Sequence, residues 1–297
     1  MTRALVLSGG GSVGIAWQTG LAAGLSTKGV DLREADLIVG TSAGSAVGAR
    51  LALGRDMVEV TERYRRHAQA APTVPPSDAP SAADIAARMM AVMQIMNDAA
   101  ASAGSPEEMR AAIGKAALEA ETGPEDAFLA RFPDLAAEPF PDGYACTAID
   151  ALTGEFQVWD ASTGAPLQRS VTSSCAVPGM FPPITIDGRR YIDGGMRSVT
   201  NADLAVGHDT VLVVTLAPPE RLANADDPRS VRMREQTDAE RTALLDAGAA
   251  VEVVGPDDEG MEVMGVNLMD PSIGPPAAET GFRQGQALAA TLGGFWS

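Results

Sequence analysis

LVLSGGGSVG, residues 5–14, runs from apolar residues straight into glycine. Gly9, Gly11 and Gly14 satisfy G-x-G-x-x-G, a pattern whose unobstructed backbone amides cradle a dinucleotide pyrophosphate. Amides of the same kind also stabilise the oxyanion of an acyl-transfer reaction. The neighbouring segments decide between these uses. Residues 3–8 predict a buried strand, the glycines a tight turn, and residues 15–28 a helix ending near Gly29. A second strand, 37–39, stops at Gly40, and SAVGARLALG after GTSAG is helical again. This β-turn-α-β-turn-α unit predicts an α/β fold with a parallel sheet. Both glycine-rich turns then lie at the carboxyl ends of strands, where such sheets bind ligands.

A dinucleotide site needs an acidic residue at the end of the second strand, on the ribose hydroxyls. Here Asp36 stands at the beginning of that strand, and its far end carries Gly40-Thr41-Ser42-Ala43-Gly44. G-x-S-x-G at a strand-to-helix turn is a nucleophile elbow, in which flanking glycines let the chain reverse and the serine hydroxyl project above the sheet. Ser42 is therefore the candidate nucleophile. The glycines after the first strand present backbone amides that could hold the oxyanion. Each motif alone is weak, but their order and shared strand-turn-helix setting make the pair specific.

A serine hydroxyl needs a base. The chain has two histidines, His67 and His208. His67 follows RYRR in a surface helix, and His208 precedes VLVVTL at the amino end of a strand, the wrong edge of the sheet. An α/β-hydrolase order of Ser42, Asp193 and His208 is the alternative. Against it, only one strand precedes that of Ser42, where the α/β-hydrolase fold normally has several. Asp193 follows the apolar strand RRYI and is followed by Gly194 and Gly195, a carboxylate on a turn with little bulk around it. In isolation DGG is more simply a self-capping turn. Beside a G-x-S-x-G that lacks a credible histidine, it reads as the base.

Composition narrows the partners. The 297 residues, 45% of them hydrophobic, can bury one α/β core, and residues 1–297 are taken as one domain. The formal charge is 22 − 39 = −17, so binding to nucleic acid or to an anionic bilayer would work against repulsion. Two cysteines, Cys146 and Cys175, are too few for a disulfide framework and fit a reducing, cytoplasmic setting. The scattered histidines and cysteines predict no metal site, and no cofactor is expected.

Four prolines in APTVPPSDAP, 71–80, mark a loop. It leads into an Ala/Met-rich helical region and the helix SPEEMRAAIGKAALEAE, which together make residues 71–125 a helical insertion or lid. Met89, Met90, Met93 and Met96 suit either a flexible apolar pocket or ordinary core packing, the latter being favoured. Strands follow at GYACTAID and EFQVWD, then a hairpin through Asp187-Gly188 and the central strand VLVVTL. A helix at AERTALLDAG, a strand at VEVVGP and a final helix around GFRQGQALAATL complete the chain.

SGGGSVG at 8–14, GTSAG at 40–44 and DGG at 193–195, in that order, resemble the patatin-like phospholipase family, as does the approach SSCAVPGMFPPITIDGRRYIDGG. The resemblance covers residues 4–55 and 144–216. It implies a three-layer α/β/α sandwich with a mainly parallel central sheet and a Ser42–Asp193 dyad without histidine, with the amides of Gly10 and Gly11, helped by Gly9 or Ser12, holding the oxyanion. It further implies an acyl-enzyme intermediate and a lipid or fatty-acyl ester substrate, with transient contact at a lipid interface. Val13 stands where the family often has Arg or Lys, and Ala202 follows Asn201 where proline is frequent. A nucleotide- or lipid-binding module without chemistry is the contrasting non-enzymatic reading.

Overall fold

The computed structural model describes residues 1–70, 87, 90, 94–99, 103–216 and 228–296. Its centre is β1 (Arg3–Leu7), whose apolar run has partners on both edges: β2 (Leu37–Gly40) on one side and β7 (Thr210–Val214) on the other, both parallel. β3 (Tyr144–Asp150) extends the parallel sheet beyond β2, and β8 (Ala250–Val254) extends it beyond β7. Antiparallel strands β4 (Phe156–Trp159), β5 (Ile184–Ile186) and β6 (Arg189–Asp193) complete it. The order is β5-β6-β3-β2-β1-β7-β8, with β4 also on β3.

Side chains alternate across this sheet as strand geometry requires. Leu5, Leu7, Leu212 and Val214 face a core shared with α1 (Gly11–Ser26), α2 (Ala43–Ala52) and α9 (Gly274–Trp296). Ala4, Val6, Val211 and Val213 face Ala202, Ala205 and Leu244, the last on α7 (Pro228–Asp246). Helices on both faces make the three-layer sandwich. Between α1 and α9 the contact is backbone on backbone. A Cβ at Gly20 would stand 2.0 Å from the Ala278 carbonyl oxygen, and one at Gly281 would stand 2.2 Å from that of Trp17.

The register around β3 positions the site. Cys146 pairs with Gly40 of β2 and with Trp159 of β4, so those strands lie on opposite edges of β3. Ala148 pairs with Gln157 of β4 and with Asp193 of β6, so β6 shares the edge held by β2. β2 runs parallel to β3 and β6 antiparallel, and the two converge end to end. Gly40 and Asp193, their last residues, are separated along that edge by Thr147 alone.

Several local expectations hold with shifted bounds. The hairpin at Asp187-Gly188 has φ of 50° and 77°, the primed turn that suits strand twist. Ser105 caps α4 (Pro106–Glu119) by accepting from the Glu108 amide. α1 begins at Gly11, four residues before the expected start, because Gly11 adopts φ +61° and lets the helix open inside the glycine run. The loop at 71–80, Met89 and Met93 lie outside the described residues. Of the rest of the expected lid, Met90 is exposed, while Met96 packs with Ile113, Ile149 and Ile192 under α4. That is core packing against β3 and β6.

Candidate active site

The backbone at Ser42 has φ 52° and ψ −116°, a conformation that costs a non-glycine residue about 1–3 kcal/mol and persists only where the surroundings enforce it. They do so here from both sides. Gly44 donates its amide to the carbonyls of Ser8 (3.0 Å) and Thr41 (2.9 Å), and the Thr41 amide donates to Leu7 at 3.0 Å, stitching the elbow to the end of β1. A Cβ at Gly44 would lie 2.0 Å from the Leu7 carbonyl oxygen, so no larger residue fits. The Ser42 carbonyl accepts from the Ser45 amide (2.9 Å), the Ser45 hydroxyl (2.6 Å) and the Cys175 thiol (3.1 Å). Its amide donates to the Ser174 hydroxyl at 2.9 Å, at the end of α6 (Leu167–Ser174).

Asp193, at the end of β6, is 2% exposed. Its Oδ1 accepts from the Gly195 amide at 2.7 Å, and the Ser42 hydroxyl is close enough to favour the charged form of the carboxyl group. Burial pushes this acid from the ordinary 3.8 up to about 7, against the opposing pull of the Ser42 hydroxyl and the Gly195 amide. An ordinary carboxylate is a poor base at neutral pH, and a value near 7 removes that mismatch. Gly194 and Gly195 keep the turn narrow, since a Cβ at Gly194 would stand 2.2 Å from the Thr147 hydroxyl.

The first glycine turn abuts this pair. A Cβ at Gly9 would contact that of Ser42 at 3.5 Å. The Gly9 amide itself donates to the Val199 carbonyl at 2.9 Å, which corrects its inclusion among the free donors. The amides of Gly10, Gly11 and Ser12 donate to no group among the described residues. They precede or open α1, where a helix leaves its amides without acceptors. The Ser12 hydroxyl turns away toward the Leu268 carbonyl.

Behind the pair lies a polar layer that sequence reading missed. Asn201, at φ 50°, donates through Nδ2 to the hydroxyls of Thr41 (3.0 Å) and Thr147 (3.3 Å) and to the Ser198 carbonyl (2.7 Å). Its Oδ1 accepts from Arg197, which also pairs with Asp203. Glu240 of α7, also buried, accepts from the Thr200 hydroxyl (2.5 Å) and the Ala202 amide (2.9 Å). Only the positive-φ habit of asparagine hinted at this role in the sequence.

The remaining candidates sit elsewhere. His208 places Nδ1 on the Ala205 carbonyl at 3.1 Å, just before β7 and so at the amino edge of the sheet. His67 lies on α3 (Met57–Ala70), its side chain outside the described residues. Asp36 accepts from the Arg3 amide at 2.7 Å, closing the amino end of β1 and not a nucleotide site. Among the described residues no group of three His, Cys, Asp or Glu could hold a metal ion. None of the described helices is long and apolar enough to cross a membrane.

A cleft of about 210 Å³ opens on Ser42. Its walls are mainly apolar, with Ile15, Phe132, Val177 and Met269 among them, and Arg50 and Arg131 also face it. An elbow serine, a buried acid and unengaged amides thus lie beside one apolar cleft at the carboxyl ends of the parallel strands. The profile of the patatin-like phospholipase family matches residues 5–206, more than half of the chain. The chain belongs to that family and is a lipid-hydrolysing enzyme. Two solved structures align over 98% of it. VipD from Legionella pneumophila is 15% identical, with a TM-score of 0.44 over 67% of its own length. The type III effector protein ExoU is 16% identical, with a TM-score of 0.40, and the chain spans 53% of it. No curated protein matches the chain.

Proposed function

We propose that the protein is a serine lipid acyl hydrolase that cleaves carboxylic esters through a Ser42–Asp193 dyad. The observation that supports this reading is the buried Asp193 carboxyl, brought by the edge of β3 to the elbow of the strained Ser42, next to amides with nothing to bind. Ser42 Oγ attacks the ester carbonyl as its proton passes to Asp193. The carbonyl oxygen, now negative, is held by the amides of Gly10, Gly11 and Ser12, at the positive end of α1. Collapse breaks the ester bond, and Asp193 returns the proton to the departing alcohol. Water, activated by the same carboxylate, then releases the fatty acid and restores the serine.

The apolar cleft supports a fatty-acyl chain as the group transferred to Ser42. Cys146 and Cys175 are free and buried, which supports work in a reducing compartment such as the cytoplasm. The test is turnover of medium-chain p-nitrophenyl and glycerolipid esters by the wild type, Ser42→Ala, Asp193→Asn and His208→Ala. Loss in the first two variants with retention in the third is expected. Retention in Asp193→Asn together with loss in His208→Ala transfers the base to histidine and overturns the dyad.

A further inference from the structure

Two cations face the cleft, and they differ in one respect. Arg50 is spent: its guanidinium pairs bidentately with Asp134, at 2.8 and 3.1 Å. Arg131 is exposed and meets no carboxylate and no hydrogen-bond acceptor among the described residues. Arg131 rests instead on aromatic rings, its Cζ 5.1 Å from the centroid of Phe181 and 5.9 Å from that of Phe128. Those rings stack on each other at 4.2 Å and 7°. A guanidinium laid on a ring is held in direction, while its N–H edge remains free for a bidentate oxyanion.

From this we infer that Arg131 is a specificity-determining residue that binds the phosphate of a phospholipid headgroup at the solvent end of the cleft. The inference rests on the hydrolase reading for the placement of the ester at Ser42. A phospholipid matches the cleft part by part, with an apolar chain for its walls, an ester for Ser42 and an anion for Arg131. In a chain of net charge −17, general attraction does not gather anions, so recognition depends on a local unneutralised cation.

The test is calorimetric titration in a Ser42→Ala background with dihexanoylphosphatidylcholine and with dihexanoylglycerol, which share acyl chains and differ in the phosphate. Adding Arg131→Gln is expected to weaken the phospholipid about tenfold relative to the diacylglycerol, and Arg131→Lys to recover part of that loss. Equal change for both lipids, or no change, overturns the inference. Competition by inorganic phosphate as strong as by the lipid assigns the site to the free ion and overturns the headgroup. Wild-type turnover of both lipids is measured separately. Absence of turnover with the tenfold binding difference intact overturns the hydrolase reading while leaving Arg131 assigned.

Discussion

Replacing Asp193 by asparagine is expected to destroy turnover and, at neutral pH, to make the protein more stable. Burial raises this acid from 3.8 to about 7 in the folded protein. Between those limits the folded chain holds a proton that the unfolded chain has lost, so wild-type stability falls as pH rises through the window. At 1.36 kcal/mol per unit, the difference amounts to about 4 kcal/mol once pH exceeds 7. Asparagine is close in shape, still presents an oxygen to the Gly195 amide, and carries no charge at any of these pH values. The advantage of Asp193→Asn is therefore near zero at about pH 3, about 2 kcal/mol at pH 5 and about 4 kcal/mol at pH 8. Urea unfolding of both proteins across this range reads the difference directly, because titration of all other groups cancels. A difference that stays flat with pH refutes the reasoning, since Asp193 would then hold no shifted proton.

If Asp193 is the base, as proposed, kcat/KM should fall about tenfold per pH unit below pH 7, as it takes up the proton that disables it. A rate unchanged down to pH 5 contradicts this. Asn201→Ala leaves Thr41 and Thr147 without their shared buried donor. It should lower stability by about 1–3 kcal/mol and reduce kcat more than it alters KM, as steady-state kinetics would show. Gly44→Ala drives a methyl into the Leu7 carbonyl. It should cost more than about 3 kcal/mol, and a Tm within a few degrees of the wild type would disprove that contact. Gly281→Ala tests the α1–α9 seam in the same way, since its Cβ meets the Trp17 carbonyl oxygen at 2.2 Å. Here thermal unfolding should shift downward while Ser42 still reacts with a fluorophosphonate.

The parts legible in sequence are those set by local rules. Strand periodicity, the two glycine turns and the Asp187-Gly188 hairpin each follow from a few adjacent residues. Ser42 and Asp193 were recognisable because an elbow and a D-G-G turn each have a local signature. That they work together was an expectation from elimination and resemblance, because the geometry depends on β2 and β6 converging along one edge of β3, a relation between segments about 150 residues apart. The Asn201 layer escaped for a similar reason, joining Thr41 just after β2, Thr147 in the middle of β3 and Ser198 beyond β6. Gly9 looked like its neighbours in the run, and only the Val199 carbonyl sets it apart. Nor does spacing on one helix show that Gly20 and Gly281 are small because two helices touch through their backbones.

The central claim is that the hydroxyl of Ser42 attacks the ester and carries the acyl group. Rapid-quench mass spectrometry of the wild-type protein with a slow-leaving acyl ester tests it most directly. The expected result is one acyl group on the peptide containing Ser42, formed faster at pH 8 than at pH 6 and absent from Asp193→Asn. An acyl group on any other residue, or steady turnover by Ser42→Ala, contradicts the account.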